Sequence, residues 1–386
     1  MDRISRMQNR VRRRKGLKRQ RITLIVIAAA LLLAGVTGAG VRLWRSSHRA
    51  PAVATAARPT KAPAKKAPVY AVTFDTSASS EASVTPRSIK IAGAKLPVTR
   101  LPFAVAPGLR FVGWFTGPAT DTAATLIDNR MLSQIATDTN TTLYARFEPR
   151  PEGVDRSVPG LPILMYHDFY DPNKGEKADP DYNGNMLNLD SFARQLDYLK
   201  QENYYFPSWE EVYAYVKGEI RLPNKSVVLT SDDGRPDVFE KAYPLLKQKN
   251  ALMTSFVTGD MALMNKLDLS QIDPQYLDLR SHTFGFHSRE SVAAGGLIAH
   301  ASFEEIKADA DKESAIIPQR FVMAYPYGQK GVDFNDATEN ALQQLGFCLA
   351  VSTNKGLVYP GQNPMALHRR AIGEPISLER FKTLLE

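Results

Sequence analysis

The aliphatic run Val227-Val228-Leu229 ends in Thr230-Ser231-Asp232-Asp233-Gly234, and few folds accommodate that succession. Three aliphatic residues before a turn signal predict a buried strand, covered on both faces. That strand must deliver two adjacent carboxylates to its carboxyl-terminal tip. Side by side they repel unless a cation or a shared proton compensates them; a bland loop would use one aspartate as a turn or cap residue. About fifty residues on, Ser281-His282-Thr283-Phe284-Gly285-Phe286-His287 offers two imidazoles five positions apart. Five matches neither one helix face nor one strand face. A bend at Gly285 is therefore expected to bring the rings together. One aspartate and two histidines make a three-ligand metal site with open positions, and the remaining carboxylate can serve as a base.

The surrounding pattern is α/β. Strands are expected at Val227–Ser231, Met253–Val257, Phe321–Tyr325, Phe347–Val351 and Arg370–Ile372. Helical spacing predicts helices over Leu189–Lys200, Trp209–Val216, Asp237–Lys247, Phe303–Ala315 and Asp336–Leu345. Such alternation implies parallel strands joined by crossover helices. The single cysteine, Cys348, cannot close an internal disulfide and reads as a small buried apolar residue.

From about Pro159 to the C-terminus the chain resembles the polysaccharide deacetylases of carbohydrate esterase family 4, the NodB-homology group. The resemblance rests on Thr230-Ser231-Asp232-Asp233-Gly234, with serine where the family has phenylalanine, followed by His282 and His287. Four residues between those histidines, and the opening Leu161-Pro162-Ile163-Leu164-Met165-Tyr166-His167, are similar to the branch acting on poly-β-1,6-N-acetylglucosamine. The resemblance implies an irregular (β/α) barrel with its chemistry at the C-terminal strand ends. It implies Asp233, His282 and His287 as ligands of a divalent metal, zinc by default, and Asp232 as general base. Ala324-Tyr325-Pro326-Tyr327-Gly328 matches the family's Arg-x-Pro-Tyr motif, so Tyr327 would supply the oxyanion amide and contact substrate. Ala324 stands where the family's base-orienting arginine would be. His368 is the candidate general acid by position, with a strand-edge histidine as the bland alternative. His167, closing the first strand, would face the site and contact substrate, or else be a hydrogen-bonded core histidine. Tyr182 and Trp209 read as packing residues before sugar platforms.

Upstream, the charge is segregated. Residues 1–21 hold ten Lys/Arg against Asp2; through residue 69 the excess reaches +16, against +9 for the whole chain, which leaves residues 70–386 at −7. A nucleic-acid-binding body is thereby disfavoured. Residues 22–41 are an uncharged apolar run long enough to span a bilayer as a transmembrane anchor, with a cleaved signal peptide as the competing reading. The basic tail predicts that residues 1–21 stay in the cytoplasm and the rest lies outside the cell membrane. Residues 42–68, rich in Ala, Pro and Lys, read as a linker. Residues 69–148 contain strand patterns at Val69–Phe74, Phe111–Thr116 and Thr141–Phe147 and resemble the Listeria–Bacteroides repeat, a small β-grasp-like surface module; Trp114 is expected in its core. Residues 149–158 read as a second linker before the deacetylase region, 159–386.

Two functions follow. One is a membrane-anchored, metal-dependent N-deacetylase of an acetylated cell-surface polysaccharide, exopolysaccharide or peptidoglycan. The other is a catalytically inactive adhesion or glycan-binding protein on the same scaffold, suggested by Ser231 and Ala324; the four retained groups Asp232, Asp233, His282 and His287 argue against it.

Overall fold

The computed structural model describes residues 68–179, 184–287 and 297–386. The expected anchor at 22–41, its flanks and Tyr182 lie outside the described residues. Among the described residues, no helix is long and apolar enough to cross a membrane.

The N-terminal strands are β1 (Tyr70–Asp75), β2 (Ser88–Ile91), β3 (Leu109–Phe115), β4 (Leu126–Ile127) and β5 (Thr141–Pro149). They form one mixed sheet in the order β2-β1-β5-β3-β4, in which β1 runs parallel to β5 and the other pairs are antiparallel. Its inward face gathers Val72, Phe74, Phe111, Trp114 and Leu143. Trp114 is 2% exposed, and its indole N–H donates to the Pro102 carbonyl. A core aromatic with its polar atom satisfied is what a strand tryptophan provides best.

Next come β6 (Ile163–Tyr166), β7 (Asp168–Tyr170) and β8 (Met186–Asn188), then β9 (Val228–Ser231), β10 (Met253–Val257), β11 (Leu277–Ser281), β12 (Val322–Ala324), β13 (Leu349–Lys355) and β14 (Leu367–Ala371). Strands β6 and β9–β14 close into a barrel of parallel neighbours taken in chain order. Every residue of β6, β9, β10 and β12 is buried, as strands covered on both faces require. The covering helices are α1 (Leu189–Gln201), α2 (Trp209–Val216), α3 (Tyr243–Lys249, entered through a wide turn over Val238–Ala242), α4 (Gly259–Asn265), α5 (Phe303–Glu313), α6 (Asp336–Gln344) and α7 (Leu378–Thr383). Trp209 is buried and donates to Thr254 Oγ1, so it packs the barrel.

Strand parity decides what reaches the bore. Ile163, Val228, Phe256, Val322, Ala324, Leu349, Val351 and Leu367 share one core, whereas Leu164, Leu229, Met253 and Leu277 pack into the outer layer with α1 and α3. Counting by twos along β9 puts Val228, Thr230 and Asp232 inward. Along β14, Leu367 and Arg369 point inward while His368 and Arg370 point out.

Lys66–Glu386 is one compact unit. The mixed sheet lies at the amino-terminal end of the barrel strands, where Arg100 and Asn129 share a cleft with Val228, Thr254 and Asp278. Phe111 exchanges backbone hydrogen bonds with Glu219 and Arg221. The stretch 149–158 is a packed strap: Arg150 N–H donates to Gly108, Asp155 N–H to Pro360, and the Asp155 carboxylate meets Arg110 at 2.6 Å. Cys348 is partly exposed rather than buried, since β13 begins one residue later, at Leu349.

Candidate active site

The tip of β9 follows from its parity. Asp232, 3% exposed, ends the inward row Val228-Thr230-Asp232 and accepts two hydrogen bonds from Arg369, Nη1 to Oδ1 and Nη2 to Oδ2, each 2.7 Å. Arg369 is itself fully buried and also bonds Thr230 Oγ1 and the Ser352 carbonyl. Burial alone would raise the Asp232 pKa; the Arg369 charge and hydrogen bonds prevail and hold the carboxyl below its usual range. A buried carboxylate is thus kept ionised and fixed in orientation.

Asp233 leaves the strand in the left-handed conformation, φ 73°, and Gly234 follows at φ 67°. A Cβ on Gly234 would lie 2.9 Å from both Cα and Cγ1 of Val257, so glycine alone fits this turn. The turn aims Asp233 Oδ1 at two imidazoles, 3.6 Å from His282 Nε2 and 3.2 Å from His287 Nε2. Ligand atoms of the three residues all lie within 4.8 Å of one another, the one such Asp/Glu/His/Cys group of three or more among the described residues.

His282 is buried, and its Nδ1 lies 2.9 Å from the Ala324 carbonyl. That carbonyl only accepts, so Nδ1 carries a proton, and in the neutral ring Nε2 offers the lone pair, turned toward Asp233. A carboxylate oxygen facing imidazole nitrogens is satisfied by a positive charge between them, a metal ion or an imidazolium proton. Asp233 Oδ1 meets that description, being buried without a well-formed hydrogen bond. The donor set and its backing through Ala324 fit a divalent metal. Asp233 and His287 remain 17% and 26% exposed, so the site is open on one side.

The bend between the histidines takes in Phe284 and Gly285, as expected. Its left-handed residue is Thr283, φ 68°, not Gly285; a Cβ on Gly285 would meet only Asp309 Oδ1 at 3.7 Å, an ordinary contact. Tyr327, left-handed at φ 60°, stacks its ring on His287 with centroids 4.7 Å apart. His167 lies within the electrostatic reach of Asp232, Asp233 and His282; burial lowers its pKa against the pull of those aspartates, and its Nδ1 has no hydrogen-bond partner. Ser231 Oγ donates to the His167 carbonyl at 2.8 Å and so links the tips of β9 and β6.

Of the residues singled out in the sequence, the structure brings together Asp232, Asp233, His282, His287, Tyr327 and His167. It does not bring in His368. On β14 that side chain has the parity opposite to Arg369, lies against Gly356 and senses Arg156, outside the bore. The sequence reading missed Arg369, which meets Asp232 where Ala324 leaves no arginine to do so. Its signal was an arginine two residues from Leu367 in strand alternation, obscured because the strand was expected to start at Arg370. Also missed was Asp168, fully buried beside Asp237 and ion-paired with Arg235 at 3.1 Å. Burial and then the Asp237 charge push its pKa up to about 7.

The family description "Polysaccharide deacetylase" matches residues 219–350. The putative polysaccharide deacetylase YxkH of Bacillus subtilis is 25% identical over 230 residues, 58% of this chain and 76% of that protein. The poly-beta-1,6-N-acetyl-D-glucosamine N-deacetylase of Staphylococcus aureus is 26% identical over 198 residues, 47% of this chain and 66% of its own length. Among solved structures, the Streptococcus pyogenes deacetylase PplD in complex with acetate is 30% identical, with a TM-score of 0.49, covering 59% of this chain and 100% of that one. IcaB from Ammonifex degensii is 23% identical with a TM-score of 0.46, covering 59% and 97%. The chain carries a polysaccharide deacetylase domain. Arg369 lies beyond the matched segment.

Proposed function

We propose that this protein is a metal-dependent N-deacetylase that removes acetyl groups from a cell-surface N-acetylglucosamine polymer and releases acetate. The observation that carries the proposal is the convergence of Asp233, His282 and His287 beside an Asp232 clamped by Arg369. In this reading Asp233, His282 and His287 hold a divalent ion, zinc being the first choice for one carboxylate and two imidazoles. Such an ion would polarise the acetamide carbonyl and acidify water at the site. Asp232 is the general base, and Arg369 keeps it ionised and aimed. Having taken the proton of the attacking water, the same carboxyl passes it to the departing amine, because His368 lies on the outer face. The Tyr327 amide donates to the developing oxyanion, and the stack on His287 steadies that corner. His167 contacts the sugar from the tip of β6.

The substrate class follows the S. aureus relative and the four-residue gap between His282 and His287: β-linked N-acetylglucosamine, with exopolysaccharide ahead of peptidoglycan. The basic residues before the apolar run 22–41 support single-pass anchoring in the cell membrane with the barrel outside. Acetate release by residues 66–386 from β-1,6- and β-1,4-linked oligomers and from peptidoglycan, with added zinc or cobalt, tests the proposal. Release lost in Asp232→Asn is the expected result. Stoichiometric metal with no release from any substrate would favour the glycan-binding reading.

A further inference from the structure

The two imidazoles are not held in the same way. His282 continues β11: its N–H donates to the Val257 carbonyl at 2.8 Å, and its ring is backed by Ala324. His287 lies beyond the bend and has no strand to fix it, so apart from its stack on Tyr327 its place depends on residues 283–285. Both polar sides of that bend are engaged. The Thr283 carbonyl accepts from Gly259 N–H at 3.2 Å and the Phe284 carbonyl from Asp260 N–H at 3.0 Å, the first two residues of α4. On the other side, Phe284 N–H donates to Asp309 Oδ2 and Gly285 N–H to Asp309 Oδ1, each at 2.8 Å. A single carboxylate on α5 thus clasps two successive amides midway between the imidazoles. The Phe284 ring lies against Gly259, where an added Cβ would collide with it and with Glu313 Oε2. The bend therefore cannot drift toward α4 if the clasp is lost.

We propose that Asp309 is a positioning residue for the metal site, setting the reach of His287 through the amides of Phe284 and Gly285. Nothing else among the described residues accepts from those two amides. Asp309→Asn keeps the shape but turns one acceptor into a donor facing a donor, so one amide is released. The role rests on the metal reading above.

The test uses the full-length chain and competition titration of zinc and cobalt against a chelator. Its variants are Asp309→Asn and, as a control, Ser302→Ala. Ser302 caps α5 by accepting from Glu305 N–H, so its loss loosens the same helix without touching the bend. The expected result is a 10- to 100-fold weaker metal affinity for Asp309→Asn, about the range for groups that orient metal ligands. It should come with a changed visible spectrum of the cobalt form, while Ser302→Ala stays within about twofold of wild type. Equal losses in both variants, or none in either, would overturn the role of Asp309. A wild type that binds neither ion would instead sink the metal reading, and this role with it. Hydrogen exchange on the metal-free wild type needs no variant to fold: the Phe284 and Gly285 amides should be protected, and exchange as fast as in exposed loops would overturn the clasp.

Discussion

At the amino-terminal end of the barrel, Arg110 meets Glu148 and Asp155, and Arg221 bonds the same Glu148 through Nε and Nη2 at 2.6 Å each. The Ser157 hydroxyl and then Arg110 hold the Asp155 pKa down to about 2. At the mouth, Arg369 clamps Asp232 just as well, but the groups around it are unsatisfied. Both oxygens of Glu313, one each of Asp233 and Asp237, the Thr283 hydroxyl and His167 Nδ1 are buried without hydrogen-bond partners. Asp233, Thr283 and Tyr327 hold left-handed backbone there as well. The seam uses charge to join sheet and barrel, where Arg110 and Arg221 are paired with Glu148 and Asp155. The mouth keeps spare coordinating and hydrogen-bonding capacity at a cost to the fold, and that difference marks the functional end.

The largest expected effect separating the two ends is on turnover. Asp232→Asn should lower kcat by about 10²- to 10⁴-fold, the usual share of a general base, with metal content little changed. It also leaves buried Arg369 without its counter-charge and should destabilise by about 3–5 kcal/mol, so turnover is read where the variant is folded. Acetate release and metal analysis on the same preparation check it; a mutant retaining a tenth of wild-type kcat would remove Asp232 from the mechanism.

Breaking the buried arginines compares the ends directly. Arg369→Met and Arg110→Met each strand a buried carboxylate and should destabilise by about 3–5 kcal/mol in denaturant melts. Only Arg369→Met should abolish turnover at temperatures where both are folded. Equal loss of activity in Arg110→Met would show that the seam takes part in catalysis.

Their pH dependence should have opposite sign. Burial, then Asp309, pushes the Glu313 pKa from 4.5 up to about 9, so the folded protein keeps a proton that the unfolded chain has lost. Its stabilising contribution is full below about pH 4.5 and is lost as pH rises toward 9. Asp155 is the reverse: its contribution is present above pH 3.8 and lost as pH falls toward 2. Glu313→Gln should therefore be more stable than wild type at pH 8 by about 2–4 kcal/mol, with the gap closing near pH 5. A gap independent of pH would mean that Glu313 does not carry that proton. The smallest effect is expected from Ser231→Ala, which removes the bond to the His167 carbonyl: about 1 kcal/mol of stability and a loss of activity smaller than for Asp232→Asn, read from thermal melts and acetate release.

Much of this is legible in the sequence. Apolar runs ending in polar tips placed β9 and β10 to within a residue, and the amphipathic spacing of Phe192, Leu196 and Leu199 placed α1. The cluster of Asp233, His282 and His287 could be proposed because each ligand sits at the end of a recognisable local pattern. β11 was not anticipated: Leu277-Asp278-Leu279-Arg280-Ser281 carries two charges inside the barrel, paired with each other at 2.7 Å, so it lacks an aliphatic signature.

The sequence by itself determined what the chain can hold at its strand tips: two carboxylates after β9, and two imidazoles that only a bend could unite. Periodicity and residue chemistry are local properties, and those features are local. Which partner completes each group was decided by the tertiary structure. Arg369 stands 137 positions from Asp232 and reaches it only because β14 closes against β6 beside β9. The same closure, by strand parity, turns His368 outward. Asp309 likewise meets the bend only because α5 packs across it. Closing the barrel brings distant residues to one point, and local pattern carries no record of that distance.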